Sequence, residues 1–113
     1  MNNKEKMIEY IKVYLNIDKN RIVETKCSVK NMTLSMLRDS LVGLGRILDE
    51  NITESLYVIE MNAGFVGLNH AVIVVQLDNN TLTFIGGARE GLVNQHTAEK
   101  AIDRLVKKLQ KKL

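Results

Sequence analysis

The stretch NHAVIVVQLDNNTLTFIGG, residues 69–87, decides the fold because two apolar segments flank a polar turn. Along residues 69–77 the side chains form two alternating sets: Ala71, Ile73, Val75 and Leu77, and His70, Val72, Val74 and Gln76. Successive side chains of a strand point to opposite faces, and a strand that is apolar on both faces is typical of the centre of a sheet. We therefore predict a central strand over 69–77.

The turn and the segment after it complete a hairpin. Asp78, Asn79 and Asn80 are residue types that tolerate the positive φ angles of tight hairpin turns. Residues 81–87 contain threonine, phenylalanine and isoleucine, which favour strands, and form the second arm. A third strand is predicted over 56–63 on the same grounds.

Residues 21–30 predict a fourth strand, because their pattern has a period of two. Val23, Thr25, Cys27 and Val29 alternate with Glu24, Lys26, Ser28 and Lys30. The charged set is expected to face water and the other set to be covered, with Cys27 acting as a small apolar side chain.

Three segments predict helices. Apolar residues recur at steps of three and four over 4–16, over 34–48 and from Thr97 to the end of the chain. Asn31 or Thr33 can cap the second helix. Gly43 and Gly45 weaken that helix, so an end near Gly43 is an alternative to the full length.

These elements predict an α+β fold in the order α-β-α-β-β-β-α. We expect a two-layer sandwich in which a four-stranded mixed sheet carries its helices mainly on one face. The first two strands, joined through the second helix, form a parallel crossover in this prediction, and the last three form an antiparallel meander. The length of 113 residues predicts one domain over 1–113.

Composition limits the class of protein. Hydrophobic residues make up 45% and charged residues 26%, as in ordinary globular proteins. A single cysteine forms no intramolecular disulfide, the N-terminal residues lack the apolar core of a signal peptide, and the longest apolar run, 71–75, is too short to span a bilayer. We expect a cytoplasmic protein without a membrane partner.

Catalytic chemistry has little support in the sequence. Cys27 with His70 or His96 is the minimum for a nucleophile and its base, but the strand pattern covers Cys27. One cysteine and two isolated histidines have no metal-ligand spacing. We therefore predict no catalytic residue, no metal and no cofactor; a non-enzymatic protein is the preferred interpretation, and an enzyme stays open as an alternative.

Two candidate sites involve charged ligands. Gly86, Gly87 and Arg89 lie in a glycine-containing segment between a strand and a helix, where a small anion could bind, and an enzyme site near Arg89 and Glu90 is the related alternative. Nucleic acid could bind a basic face of the last helix. That face comprises Arg104, Lys107, Lys108, Lys111 and Lys112.

The third candidate site is apolar. Phe65, Val66 and Leu68 lie between glycines in a strand connection and either form an exposed protein-contact patch or fold back over the core. Our preferred hypothesis is a non-enzymatic interaction or regulatory module that binds a protein partner or self-associates. Self-association would use a sheet edge, the first helix or this loop.

Overall fold

The computed structural model of the chain describes residues 3–18, 21–63, 69–89 and 96–111. It forms three helices and five strands in the order α1 (Asn3–Tyr14), β1 (Val23–Ser28), α2 (Leu34–Val42), β2 (Arg46–Asn51), β3 (Leu56–Ala63), β4 (Asn69–Asp78), β5 (Thr81–Ala88) and α3 (Thr97–Lys111). The α+β class is as predicted.

The predicted hairpin and its central strand are confirmed. The sheet order is β1-β5-β4-β3-β2, with β4 in the middle. Strands β4 and β5 pair from Asp78 and Thr81 to Ala71 and Ala88, and Asn79 in the turn has the positive φ of 54° that its residue type tolerates.

The second helix takes the shorter of its two predicted forms, and the strand that follows was not predicted. Thr33 caps α2 through its side-chain oxygen, which accepts a hydrogen bond from the Met36 amide. The helix ends at Val42, and residues 46–51 then form β2. Leu44 and Leu48 continued the helical spacing, but they pack onto the core from the loop and from the strand. The sheet therefore has five strands, and the prediction of four is wrong.

Gly45 lets β2 approach β3. A Cβ atom at this position would lie 2.3 Å from the backbone oxygen of Glu60, a contact that requires the backbone to shift. The same atom at Gly43 would lie 3.7 Å from the Ser40 oxygen, an ordinary contact distance. Gly45 is thus the glycine of this pair that the turn from α2 into β2 requires.

The predicted parallel crossover is also wrong, because every strand pair in the sheet is antiparallel. Strand β1 pairs with β5, with Val23 opposite Gly86 and Ser28 opposite Thr81. Strand β3 has β2 on one side and β4 on the other, so it has no edge left for β1. β1 and β2 are therefore the two edge strands of the sheet.

The helices cover both faces of the sheet, so the prediction of two layers is wrong, whereas α2 and α3 lie on one face together, as the prediction of helices mainly on one face requires. We call the two faces the α3 face and the α1 face. On the α3 face, α2 and α3 pack against alternate residues of the strands, among them Tyr57, Ile59, Ile73, Val75 and Phe84. On the α1 face, α1 packs against Leu56, Val58, Val72, Val74 and Ile85. Val72 and Val74 give β4 a second apolar face, and α1 removes that face from water.

Substitution of Gly45 tests the close approach of β2 to β3. We expect Gly45→Ala to lower the free energy of unfolding by about 1–3 kcal/mol, since the new methyl group meets backbone atoms. Gly43→Ala is the matched control. Its backbone has φ −77° and ψ −9°, which alanine adopts, so we expect no loss or a gain of about 0.4–1 kcal/mol. Urea denaturation measures both, and equal effects of the two substitutions would contradict the packing at Gly45.

Candidate functional site

The two glycines of the predicted anion site lie inside the sheet. Gly86 and Gly87 are buried residues of β5, paired with β4 and, for Gly86, with β1. A Cβ atom at Gly86 would lie 2.3 Å from the Ile73 Cδ1 atom, and one at Gly87 would lie 2.3 Å from the Ile17 Cδ1 atom. Close packing on both faces therefore accounts for the glycines, and their binding of an anion stays a prediction.

Arg89 is exposed at the end of the sheet. It lies one residue beyond Ala88, which pairs with Ala71 of β4, and His70 is the residue before Ala71. Arg89 and His70 therefore lie at the same end of two neighbouring strands. Glu90 is outside the described residues, as are Phe65, Val66 and Leu68.

The basic residues of α3 are partly engaged within the chain. The Arg104 Nη1 atom donates a hydrogen bond of 2.8 Å to the Asn62 backbone oxygen, and the Lys107 ammonium lies 2.9 Å from Asp103. Lys108 is exposed, whereas the Lys111 side chain and Lys112 are outside the described residues. Nucleic acid binding stays a prediction. Because Arg104 and Lys107 have partners within the chain, this face offers less unpaired positive charge than the sequence indicates.

Cys27 and His70, one of the pairs that the sequence suggested, lie far apart in the sheet. The strand register places Cys27 opposite Leu82, which lies opposite Leu77. Leu77 is seven residues along β4 from His70, about 23 Å at the usual rise of a strand. Cys27 is half-buried, and desolvation raises the pKa of its thiol. The other histidine, His96, has its Nδ1 atom 2.8 Å from Glu99.

The outer edge of β1 is the first structural feature that fits binding. Among the residues that the structure describes, β1 ends the sheet and has β5 as its one neighbour. The Val29 amide donates a 2.8 Å hydrogen bond to the Asn80 oxygen. In an antiparallel pair, the residues of a strand alternately direct their N–H and C=O groups toward the neighbouring strand and away from it. The odd-numbered residues of β1 therefore direct these groups toward β5. Glu24, Lys26 and Ser28 therefore direct their amide and carbonyl groups outward. Their side chains are exposed, and the Glu24 carboxylate lies 3.5 Å from Lys4 of α1.

The other edge strand is less regular. The register of β2 shifts between Ile47 and Asp49, which marks a β-bulge at Leu48. Asp49 and Glu50 are adjacent acidic residues on this strand, and the Arg38 Nε atom of α2 lies 2.7 Å from the Glu50 carboxylate. Bulges and charges of one sign are features that discourage strand pairing, so β1 is the edge better suited to it.

A pocket of about 390 Å³ lies at the Arg89 end of the sheet and is the second feature that fits binding. We call it the arginine pocket; it is lined by Leu44, Gly45, Arg46, Glu60, Asn62, His70 and Arg104. Arg46 Nη2 donates a 3.1 Å hydrogen bond to Glu60 across the β2–β3 pair. Local sequence patterns did not indicate this cluster, because the longer predicted form of the second helix included Arg46 and the lining residues come from four separate elements.

A groove of about 350 Å³ lies between α1 and the turn after β2. Tyr10 and Val13 of α1 line it together with Asn51, whose side-chain amide donates a 2.8 Å hydrogen bond to the Tyr10 hydroxyl. Val13 is 74% exposed and Ile52, in the turn, is 60% exposed. Val13 is thus apolar surface that α1 exposes, and Ile52 is apolar surface of the turn after β2.

Comparison of the chain with protein families, with curated proteins and with solved structures gave no match. Among the described residues, no group of three or more histidine, cysteine, aspartate or glutamate side chains is placed to hold a metal ion. No helix in the described part of the chain combines the length and the apolar character needed to cross a membrane. The candidate sites therefore depend on geometry alone.

The reactivity of Cys27 tests its half-buried position. Because the pKa of the thiol is raised, the thiolate fraction at a given pH is smaller in the native protein than in the unfolded chain. We expect iodoacetamide to alkylate native Cys27 more slowly than urea-unfolded Cys27, with the rate rising at a higher pH. If native Cys27 reacted faster than unfolded Cys27, and its alkylation rate reached half of its maximum at a lower pH, the thiol would be an activated nucleophile. That result would contradict this assignment.

Proposed function

We propose that the protein is a non-enzymatic interaction module that forms a homodimer by antiparallel pairing of two β1 edges. The open, regular edge of β1 supports this, since an unpaired row of backbone donors and acceptors is a template for another strand. Two five-stranded sheets would join into one sheet of ten strands. A two-fold dimer uses the same surface on both protomers, so that surface must be self-complementary.

The backbone limits the possible registers of such a dimer. Glu24, Lys26 and Ser28 carry the outward amides and carbonyls, so each must pair with an even-numbered residue of the second protomer. The two-fold axis can then pass through Glu24, Thr25, Lys26 or Cys27. Axes at Glu24 or Lys26 place identical charges opposite each other, which destabilises the pair.

The charges favour the axis at Thr25. In that register Glu24 of each protomer lies opposite Lys26 of the other, so two ion pairs form on the α1 face. On the α3 face Val23 lies opposite Cys27, and both side chains already pack against the edge of the core in each protomer. Lys4 lies beside Glu24 and adds a further positive charge to this surface. The alternating charge of β1 is the observation that carries the proposal.

Charge exchange tests this register. Positions 24 and 26 face each other at two symmetric places in this dimer, so Glu24→Lys alone, or Lys26→Glu alone, creates two pairs of like charges. We expect each single substitution to weaken dimerisation by about 1–2 kcal/mol, or about 5- to 30-fold. The double variant Glu24→Lys/Lys26→Glu restores opposite charges and is the matched control. Sedimentation equilibrium measures the dissociation constants. A monomeric native protein at all concentrations, or a double variant as weak as the single ones, would contradict the proposal.

Disulfide trapping tests the position of the axis. With Cys27→Ser as background, Thr25→Cys places two thiols on the axis in a non-hydrogen-bonded pair, where Cα atoms lie about 4.5 Å apart and a disulfide is possible. We expect mild oxidation to cross-link this variant. Ser28→Cys in the same background is the control and should remain uncross-linked, because its two copies lie about 20 Å apart. Efficient cross-linking of the native protein through Cys27 would instead place the axis at that residue.

A further inference from the structure

The arginine pocket has the size of a small-molecule site and lies away from the β1 edge. Its volume of about 390 Å³ falls in the range of pockets that bind small ligands. It is built where the connection from α2 to β2 meets the ends of β3 and β4 and the side of α3. β2 and β1 are opposite edges of the sheet, so a ligand in this pocket and a second protomer at β1 would not compete.

Both arginines of the pocket are held in place by oxygen atoms of β3. Arg104 donates to the Asn62 backbone oxygen at 2.8 Å, and Arg46 donates to the Glu60 carboxylate at 3.1 Å. A guanidinium group has five N–H donors, so each keeps donors for a ligand after making these bonds. Leu105 and Ile102 on α3 are buried in the core, which fixes the helix that carries Arg104. Arg104 is therefore positioned by a helix that packs against the core, whereas Arg46, whose side chain is 73% exposed, is positioned by its bond to Glu60.

The charges around the pocket favour an anion. Arg46 and Arg104 carry positive charge, and Glu60 is the one acidic side chain among the described residues that line the pocket. His70 and Asn62 add side chains that can donate hydrogen bonds. Arg89 lies one residue past the Ala88–Ala71 pair, beside His70, and adds positive charge at the same end of the sheet. Planar guanidinium groups match the oxygens of phosphate and carboxylate groups.

We propose that the arginine pocket binds a small molecule through an oxyanion, a phosphate or carboxylate group held between Arg46 and Arg104. The ligand accepts hydrogen bonds from the guanidinium donors that β3 does not use, and His70 lies at the side of the pocket formed by β4. This site is separate from the proposed dimer edge and does not depend on it. It also differs from the glycine segment at residues 86–87, whose glycines pack against side chains of the core.

Titration with inorganic phosphate, and separately with succinate, tests the proposal at constant ionic strength. In two-dimensional amide NMR spectra we expect saturable shifts at Gly45, Arg46, Asn62 and His70 with at least one of the two ions. Arg46→Gln and Arg104→Gln should each weaken that binding by about tenfold or more. Both side chains are exposed, so the substitutions leave the core unchanged. Saturation with phosphate alone or succinate alone identifies which oxyanion the site prefers.

Arg38→Gln is the matched control, because Arg38 is an exposed arginine paired with Glu50 and does not line the pocket. It should bind as the native protein does. The proposal is overturned if neither ion gives saturable shifts at the pocket, or if Arg38→Gln weakens binding as much as Arg46→Gln does. In sedimentation equilibrium, Arg46→Gln should dimerise with the dissociation constant of the native protein. Loss of anion binding and loss of the β1 dimer can therefore be told apart.

Discussion

The structure depends on burying β4 on both of its faces. Ala71, Ile73 and Val75 point to one face and Val72 and Val74 to the other, and all five are at most 2% exposed. Burial of apolar area is the main favourable term in folding, so a strand of this composition needs a covering layer on each side. β3 and β5 satisfy its backbone groups at both edges. The position of each helix follows from this requirement.

The sequence predicted the parts of the fold that local spacing determines. The hairpin, the last helix and the strand over 56–63 depend on residues close together in the chain. Their predicted bounds were correct within a few residues. Leu44 and Leu48 were misassigned because a leucine at helical spacing can also face the core from a strand. The close contact of Gly45 with the Glu60 oxygen, which is the tertiary reason for the break, does not appear in any local pattern.

Strand neighbours and layers depend on contacts between distant residues. The period of two in β1 correctly indicated a strand, and Val23 and Cys27 are partly buried as expected, but Thr25 is exposed instead of covered. Nothing in the pattern specified pairing with β5 rather than with β3. The alternation of Glu24 and Lys26 was visible in the sequence, yet its meaning depends on β1 being an edge. The arginine pocket was not predictable, since Arg46, His70 and Arg104 meet only through the tertiary fold.

The fold assigns different properties to its two edges. β1 is regular and carries charges of alternating sign, which suits pairing with a copy of itself, whereas β2 is interrupted by a bulge and carries adjacent acids. The arginine pocket adjoins the β2 side, at one end of the sheet, and both Arg46 and Arg104 line it. The proposed self-association and the proposed ligand binding thus use separate surfaces of the same sheet. Both surfaces exist because α1 and α3 hold that sheet between them.

The most direct test of the central claim is the stability of two α1 variants. Ile11 is fully buried on the α1 face of the sheet, and Val13, two residues away on the same helix, is 74% exposed. If α1 covers the second face of β4, Ile11→Ala lowers the free energy of unfolding by about 2–5 kcal/mol in urea denaturation. Val13→Ala then changes it by no more than about 0.5 kcal/mol. Equal, small effects of both substitutions would show that α1 does not pack on the sheet and would contradict the three-layer arrangement.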